Sequence, residues 1–297
     1  MTTEWRDWTE LAASEHLRAP RADDDKYSRG VLGVVTGSEE YPGAAVLGVE
    51  AAVRTGLGMV RYLGPERPSS LVLQARPEAV TADGRVQAWL IGSGMSPDAR
   101  DESTRARLAK ALGQDAPVVI DAGALDLADD ATGPAVLTPH AGELVTLLAA
   151  RGVETDRATV SADPASWAER AADLTGKVVL LKGSVTHVCG PASGRWARDG
   201  VRVAARVEAP SSWAATAGSG DVLGGVVGAL LAGQADRLAD DPARLVGLAA
   251  TGAYLHAWAA ERASGGGPIA ALDIAAAVPS MVARLLTGVG GVSGARP

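Results

Sequence analysis

Short runs rich in Val, Leu and Ile recur along this chain between stretches of helical character, and this alternation constrains the fold more than any other feature. Residues 30–36, 59–63, 89–91, 117–120, 135–137, 177–181 and 185–189 read as strands. Residues 44–56, 98–112, 142–150 and 166–174 read as helices, and 221–286 as mostly helix. Short apolar runs without a polar face are strands buried on both sides. Strands that alternate with helices pair in parallel, and the connecting helices cover both faces of the sheet. The expected class is therefore α/β with a mainly parallel central sheet. Pro191-Ala192-Ser193-Gly194 reads as a hairpin turn between 185–189 and a short strand at 195–197. Residues 1–28 are charged and weakly periodic, and read as a solvated N-terminal extension. A single domain is expected over 29–288, followed by a frayed Gly/Ser/Pro tail at 289–297.

Composition removes several functional classes. A hydrophobic fraction of 47% over 297 residues supports a substantial core. A net charge of −7 with no basic tract argues against nucleic acid as a partner. The single cysteine, Cys189, has no internal disulfide partner and lies in an apolar run, so it reads as a buried small hydrophobe. The polar N-terminus lacks an apolar signal core, and no apolar run free of Gly and charge approaches membrane-spanning length. The expectation is a cytoplasmic protein with no membrane partner.

In parallel α/β sheets, ligands bind beyond the carboxyl ends of the strands. The glycine and polar motifs fall there: Gly37-Ser38, Gly92-Ser93-Gly94, Asp121, Thr138-Pro139-His140, Lys182-Gly183 and Gly218-Ser219-Gly220-Asp221. The last is the most informative. It precedes a small-residue apolar run that reads as a buried helix, so its backbone N–H groups form an anion site. An aspartate at such a site repels phosphate. It fits if Asp221 takes the proton of a hydroxyl that attacks a phosphate held by those N–H groups. Helix capping is the competing role. Gly220 is expected to need backbone angles that a side chain forbids.

The chain has no Walker-type loop, no GxSxG elbow and no convincing Rossmann glycine fingerprint. The four histidines, His16, His140, His187 and His256, lack metal-ligand spacing. Instead, six motifs, most of them built on those strand ends, occur in order. They are Gly37-Ser38 with Tyr41-Pro42-Gly43-Ala44-Ala45, Gly56-Leu57-Gly58-Met59-Val60, Asp121-Ala122-Gly123-Ala124-Leu125, Leu137-Thr138-Pro139-His140-Ala141-Gly142-Glu143, Leu181-Lys182-Gly183-Ser184-Val185-Thr186 and Gly218-Ser219-Gly220-Asp221-Val222-Leu223. From about residue 26 to 286 the set resembles the ADP-dependent NAD(P)H-hydrate dehydratases of the ribokinase-like superfamily. Gly-Ser-Gly-Asp alone suits many kinases of that fold. Thr-Pro-His-x-Gly-Glu together with Pro-Gly-Ala-Ala favours the dehydratase.

The resemblance implies a three-layer α/β/α fold and a repair reaction. The hydroxyl on C6 of hydrated NADH or NADPH (NADHX, NADPHX) is phosphorylated from ADP or ATP with magnesium, and phosphate then leaves. By the resemblance, Asp221 is the base and contacts the hydrate, and Gly218 and Gly220 form the anion hole. Lys182, Gly183, Ser184, Val185 and Thr186 line the nucleotide, and Ala44, Gly94 and His140 contact the hydrate. Glu143 organises magnesium indirectly, through phosphate or water. Each has a structural alternative: His140 as a helix cap, Lys182 as a solvated strand end, Ala44 as a packing residue. Asp121 reads as the holder of a turn, His256 as a core histidine, and Trp213 as either a cover for the nucleotide or a packing residue.

The family's usual Asn-x-Thr-Gly-Asn stretch is replaced here by Val207-Glu208-Ala209-Pro210-Ser211-Ser212-Trp213, so contacts made there do not transfer. Many bacterial relatives carry a fused epimerase. The short N-terminus leaves no room for one, so a separate epimerase is expected, as is a homo-oligomer such as a tetramer. Two other readings share these residues: a ribokinase-like kinase of a vitamin-precursor alcohol, and a non-catalytic nucleotide-binding regulator.

Overall fold

The structure, a computed structural model, describes residues 3–193, 197–198 and 201–288. Its strands are β1 (Thr3–Asp7), β2 (Val31–Val35), β3 (Met59–Tyr62), β4 (Ala88–Ile91), β5 (Val118–Ile120), β6 (Ala135–Leu137), β7 (Val178–Leu181), β8 (Val185–Cys189), β9 (Ala197–Arg198) and β10 (Val201–Glu208). They form one ten-stranded sheet in the order β1-β10-β8-β7-β6-β5-β4-β2-β3, with β9 attached to β10. From β3 through β7 every pairing is parallel. β8 then turns back antiparallel to β7, β10 lies antiparallel to β8, and β1 lies parallel to β10.

The helices are α1 (Glu10–Ser14), α2 (Gly43–Thr55), α3 (Glu66–Ala75), α4 (Glu102–Leu112), α5 (Ala141–Ala149), α6 (Arg157–Ala162), α7 (Pro164–Thr175), α8 (Ser219–Gly233), α9 (Ala235–Asp240), α10 (Arg244–Ser264) and α11 (Ala271–Gly288). Successive strand side chains point to opposite faces, and this period divides the core in two. Leu32, Leu90, Val119, Val136 and Leu180 join a cluster with α2, α8, α10 and α11. Val35, Trp89, Ile91, Ile120 and Leu137 join one with α4, α5 and α7. The result is the expected α/β/α sandwich. Both faces of β2 and β4 to β7 are dry, so those strand sequences are almost wholly apolar.

The N-terminal segment differs from the sequence reading. β1 extends the sheet, Ala13 is fully buried, and Trp8 Nε1 donates to Thr251 Oγ1 at 3.2 Å. Trp5 and Trp8, set among charged neighbours, supply the apolar surface. The partner of β8 is β10, a strand missed because Arg202 and Arg206 interrupt its alternation. Arg202 is nonetheless 6% exposed, held by Asp173 Oδ2 at 2.7 Å and by the Gly190 carbonyl at 3.0 Å. The expected turn at Gly194 and strand start at Arg195, like the tail at 289–297, lie outside the described residues. Cys189 is buried as expected, and burial pushes its thiol up to about 12.

Among the described residues one helix, α11, is long and apolar enough to cross a membrane by length and composition. Its apolar stripe, Ile274, Ala275, Val278, Met281 and Leu285, is buried in the core, while Arg284 pairs with Glu10 at 2.7 Å. That is the pattern of an amphipathic core helix.

Candidate active site

The parallel strands end at one rim, and the motifs named from the sequence collect there. Asp121 follows β5 and is 3% exposed. Ser93, after β4, donates to its Oδ2 at 2.8 Å. Thr138, after β6, donates to its Oδ1 at 2.7 Å. Lys182, after β7, donates to the same oxygen at 3.0 Å. Four neighbouring strands thus contribute one polar group each. The residue after Asp121, Ala122, has φ +45°, an unfavourable conformation for a side-chain-bearing residue. It turns the chain away from the sheet directly behind the carboxylate. Asp121, read from sequence as the holder of a turn, is the centre of this network.

Lys182 also approaches Glu143 Oε2 at 3.6 Å. Burial opposes its charge, but Asp121 and Glu143 outweigh burial and hold the ammonium above its ordinary value. It is therefore a charged group in the wall of the site and not a solvated strand end.

Asp221 occupies the third position of α8. Gly218 caps that helix with φ +86°, a conformation that side chains resist. A Cβ there would also collide with Leu47 of α2. The angle requirement expected at Gly220 thus falls on Gly218. Gly220 is not among the positive-φ glycines, and a Cβ on it would sit 3.5 Å from Lys182 Nζ. Ser219 N–H donates back to Thr216 O at 3.3 Å, and Val222 N–H to Gly218 O at 3.2 Å. The N–H groups of Gly220 and Asp221 have no hydrogen-bond partner among the described residues. They form the free end of the helix dipole.

Burial pushes the Asp221 carboxyl up to about 6, helped by the negative charge of Asp121 and opposed by Lys182. A carboxylate poised near neutrality beside unpaired N–H donors has the properties of a general base next to an anion hole.

A cavity of about 580 Å³ opens beside this turn, large enough for a nucleotide-sized ligand. Lys182, Gly183, Ser184 and Thr186 form one side, Ser219 and Gly220 the floor, and Ala253, His256 and Ala257 of α10 the far wall. Val185, one residue out of phase on β8, faces a separate hollow with Trp8 and Trp258. His256 is thus a cavity residue and not a core histidine, with Nε2 2.9 Å from Ser219 Oγ. Trp213 is 41% exposed and is not among the lining residues.

His140 stands at the cavity mouth and also caps α5. Its Nδ1 accepts from the N–H groups of Gly142 and Glu143 at 3.0 and 3.1 Å, and Glu143 Oε2 accepts from the His140 N–H at 2.8 Å. This reciprocal arrangement is a capping box. It leaves Nε2 carrying the proton, 3.6 Å from Glu143 Oε1. Ala44 and Gly94 lie together outside the cavity: a Cβ on Gly94 would overlap that of Ala44. They adjoin the Asp221 turn through α2, whose Leu47 touches Gly218.

Among known proteins, the NAD(P)H-hydrate dehydratase family model matches residues 32–277. The bifunctional NAD(P)H-hydrate repair enzyme Nnr of Mycobacterium tuberculosis is 42% identical over 236 residues, covering 75% of this chain and 45% of the relative. The chain thus spans about half the length of that relative. The ADP-dependent (S)-NAD(P)H-hydrate dehydratase of Xanthomonas campestris is 31% identical over 296 residues, covering 91% of this chain and 93% of the relative. The ADP/ATP-dependent NAD(P)H-hydrate dehydratase of Bacillus subtilis, co-crystallised with ATP/Mg2+, has a TM-score of 0.78 at 23% identity, covering 96% of this chain and 100% of that one. The fold is ribokinase-like. With the match running from β2 into α11 and taking in every strand-end motif of the rim, the chain belongs to the NAD(P)H-hydrate dehydratase family.

Proposed function

We propose that this chain dehydrates the S epimer of NADHX or NADPHX, using ADP or ATP to turn the C6 hydroxyl into a leaving group. The observation that carries this reading is Asp221, a half-buried carboxylate with a pKa of about 6, in the first turn of α8 beside a nucleotide-sized cavity. Asp221 takes the C6 hydroxyl proton as that oxygen bonds to the terminal phosphorus, and the nucleotide's terminal P–O bond breaks. The N–H groups of Gly220 and Asp221 and the charge of Lys182 stabilise the moving phosphoryl group. The ring nitrogen's lone pair then expels phosphate from C6, and loss of a C5 proton restores the dihydronicotinamide. Hydroxide leaves poorly and phosphate leaves well, which is the reason for the detour.

His140 orients the nicotinamide end through its Nε2–H. Lys182, Gly183, Ser184 and Thr186, with Gly218 and Gly220, hold the nucleotide; Val185, which faces the other hollow, takes no part. Among the described residues no group of three or more His, Cys, Asp or Glu side chains is arranged to hold a metal. This donor set fits a magnesium ion carried chiefly by phosphate oxygens and water, with Glu143 as an outer partner, and does not fit an all-protein cage. When bound, magnesium would neutralise phosphate charge. An epimerase activity would supply the S form, in the cytoplasm.

The test is incubation of the purified protein with ADP, magnesium and hydrated NADPH. Return of the reduced-nicotinamide absorbance supports the reading. Accumulation of a stable phosphorylated alcohol from a vitamin-precursor panel would support a kinase instead, and nucleotide binding without turnover a regulator.

A further inference from the structure

Of the residues in the glycine turn, Ser219 alone has its amide committed elsewhere, to Thr216 O at 3.3 Å. What Ser219 offers a bound anion is therefore its hydroxyl. That hydroxyl meets His256 Nε2 at 2.9 Å, a contact from α10 across 37 residues of sequence. Ser219 is 8% exposed, and both residues line the 580 Å³ cavity.

A neutral imidazole has one N–H and one lone pair, so two arrangements of this pair differ in consequence. If Nε2 accepts, the serine proton is turned into the protein and the oxygen's lone pairs face the anion. If Nε2 donates, the serine oxygen accepts from histidine and its own proton is released toward the cavity. The ring is neutral in either case, because burial and the nearby Lys182 charge push it down to about 4, against a hydrogen bond with the Ser219 backbone.

We propose that His256 is a positioning residue that donates its Nε2–H to Ser219 Oγ, so that the serine hydroxyl becomes a third donor, beside the Gly220 and Asp221 N–H groups, for the phosphoryl end of the nucleotide. The inference rests on the nucleotide reading above. It explains why a histidine stands in a wall otherwise made of alanine. It also explains why Ser219, whose amide is unavailable, contributes a side chain at this position.

Two measurements test it. Nitrogen-15 NMR of histidine-labelled protein, with the His256 resonance assigned by its loss in His256→Gln, should report the Nε2–H tautomer. The Nδ1–H tautomer overturns the proposal. Calorimetry with ADP and with adenosine should then be run on wild type, Ser219→Ala, His256→Ala, His256→Gln and the Ser219→Ala/His256→Ala double variant. A hydrogen bond to a charged group predicts about 10–100-fold weaker ADP binding in each alanine variant, with adenosine binding unchanged. The double variant should bind no more weakly than Ser219→Ala. His256→Gln, which keeps a side-chain N–H donor, should recover most of the affinity. Multiplying effects, or equal losses for adenosine, would show a merely structural contact and overturn the inference alone. Wild-type protein that fails to bind ADP overturns the nucleotide reading and this inference with it.

Discussion

Asp221→Asn should make the protein less active and more stable at once. The carboxyl titrates at about 6 in the fold against 3.8 unperturbed. A tenfold change in proton affinity is worth about 1.4 kcal/mol, so holding the ionised form at pH 7 costs the folded state up to about 3 kcal/mol. The helix N-terminus pulls the other way, favouring a carboxylate by about 0.3–1 kcal/mol. Burial wins, and Asn removes the charge at nearly constant shape. The expected gain at pH 7 is about 1–3 kcal/mol, and each kcal/mol is worth roughly 2–4 °C in a domain of this size.

The sign with pH follows from the raised value. The folded state binds the proton more tightly than the unfolded chain, so wild-type stability rises as pH falls from about 6 toward 3.8. The advantage of the variant should therefore be largest above pH 6 and absent below about 3.8. Turnover should fall about 10²–10⁴-fold with loss of the base. Melting curves at pH 7 and pH 4, paired with single-turnover kinetics, read both effects. A variant that is less stable at pH 7 would refute the burial argument and make Asp221 a helix cap. One that turns over near the wild-type rate would end its assignment as base.

In wild type, kcat/KM should fall tenfold per pH unit below about 6, as the same carboxyl protonates; a flat profile to pH 5 would mean that another group is the base. Lys182→Met leaves Asp121 buried with only its two hydroxyl donors, so it should destabilise by about 3 kcal/mol and move the acid limb above pH 6, since Lys182 holds Asp221 down. His140→Ala should lose about 0.5–2 kcal/mol of stability with its cap and also raise the hydrate KM, whereas a stability loss alone would remove it from the site. Gly218→Ala should melt well below wild type because of its φ and its clash with Leu47, while Gly220→Ala should fold normally; the reverse order would refute the geometry of the turn.

The central strands are legible because both their faces are dry: residues 135–137, an apolar run between turn residues, have one reading in an α/β chain. Residues 185–189 read as a strand with the same bounds although Val185 and Thr186 are only half-buried. The edges were not legible. β1 and β10 each carry charge in their alternation, and their burial depends on partners distant in sequence: Trp5 meets Glu169, and Arg202 meets Asp173. The pattern within a window of ten residues contains neither fact. At the site, the strand-end rule located the rim, and Lys182, His140 and the glycine turn stand on it. Ala44 and Gly94 stand there too, packed on each other outside the cavity.

Asp121 and His256 show what a linear reading lacks. Asp121 looked like a turn aspartate because its donors, Ser93, Thr138 and Lys182, come from three other strands. Four weak signals at four places in the chain become a single buried carboxylate only when the strands lie side by side. His256 looked like core because its own helix is apolar, yet its partner Ser219 belongs to the turn that the sequence had already singled out. In both cases the deciding quantity is a distance between residues with no sequence relation. The electrostatics follow from the same juxtaposition. Asp121 raises Asp221 toward neutrality, while Lys182, held charged by Asp121, limits that rise. Removing Asp121 would therefore both lower the base and release the cation, and its effect on rate should exceed that of any single donor around it.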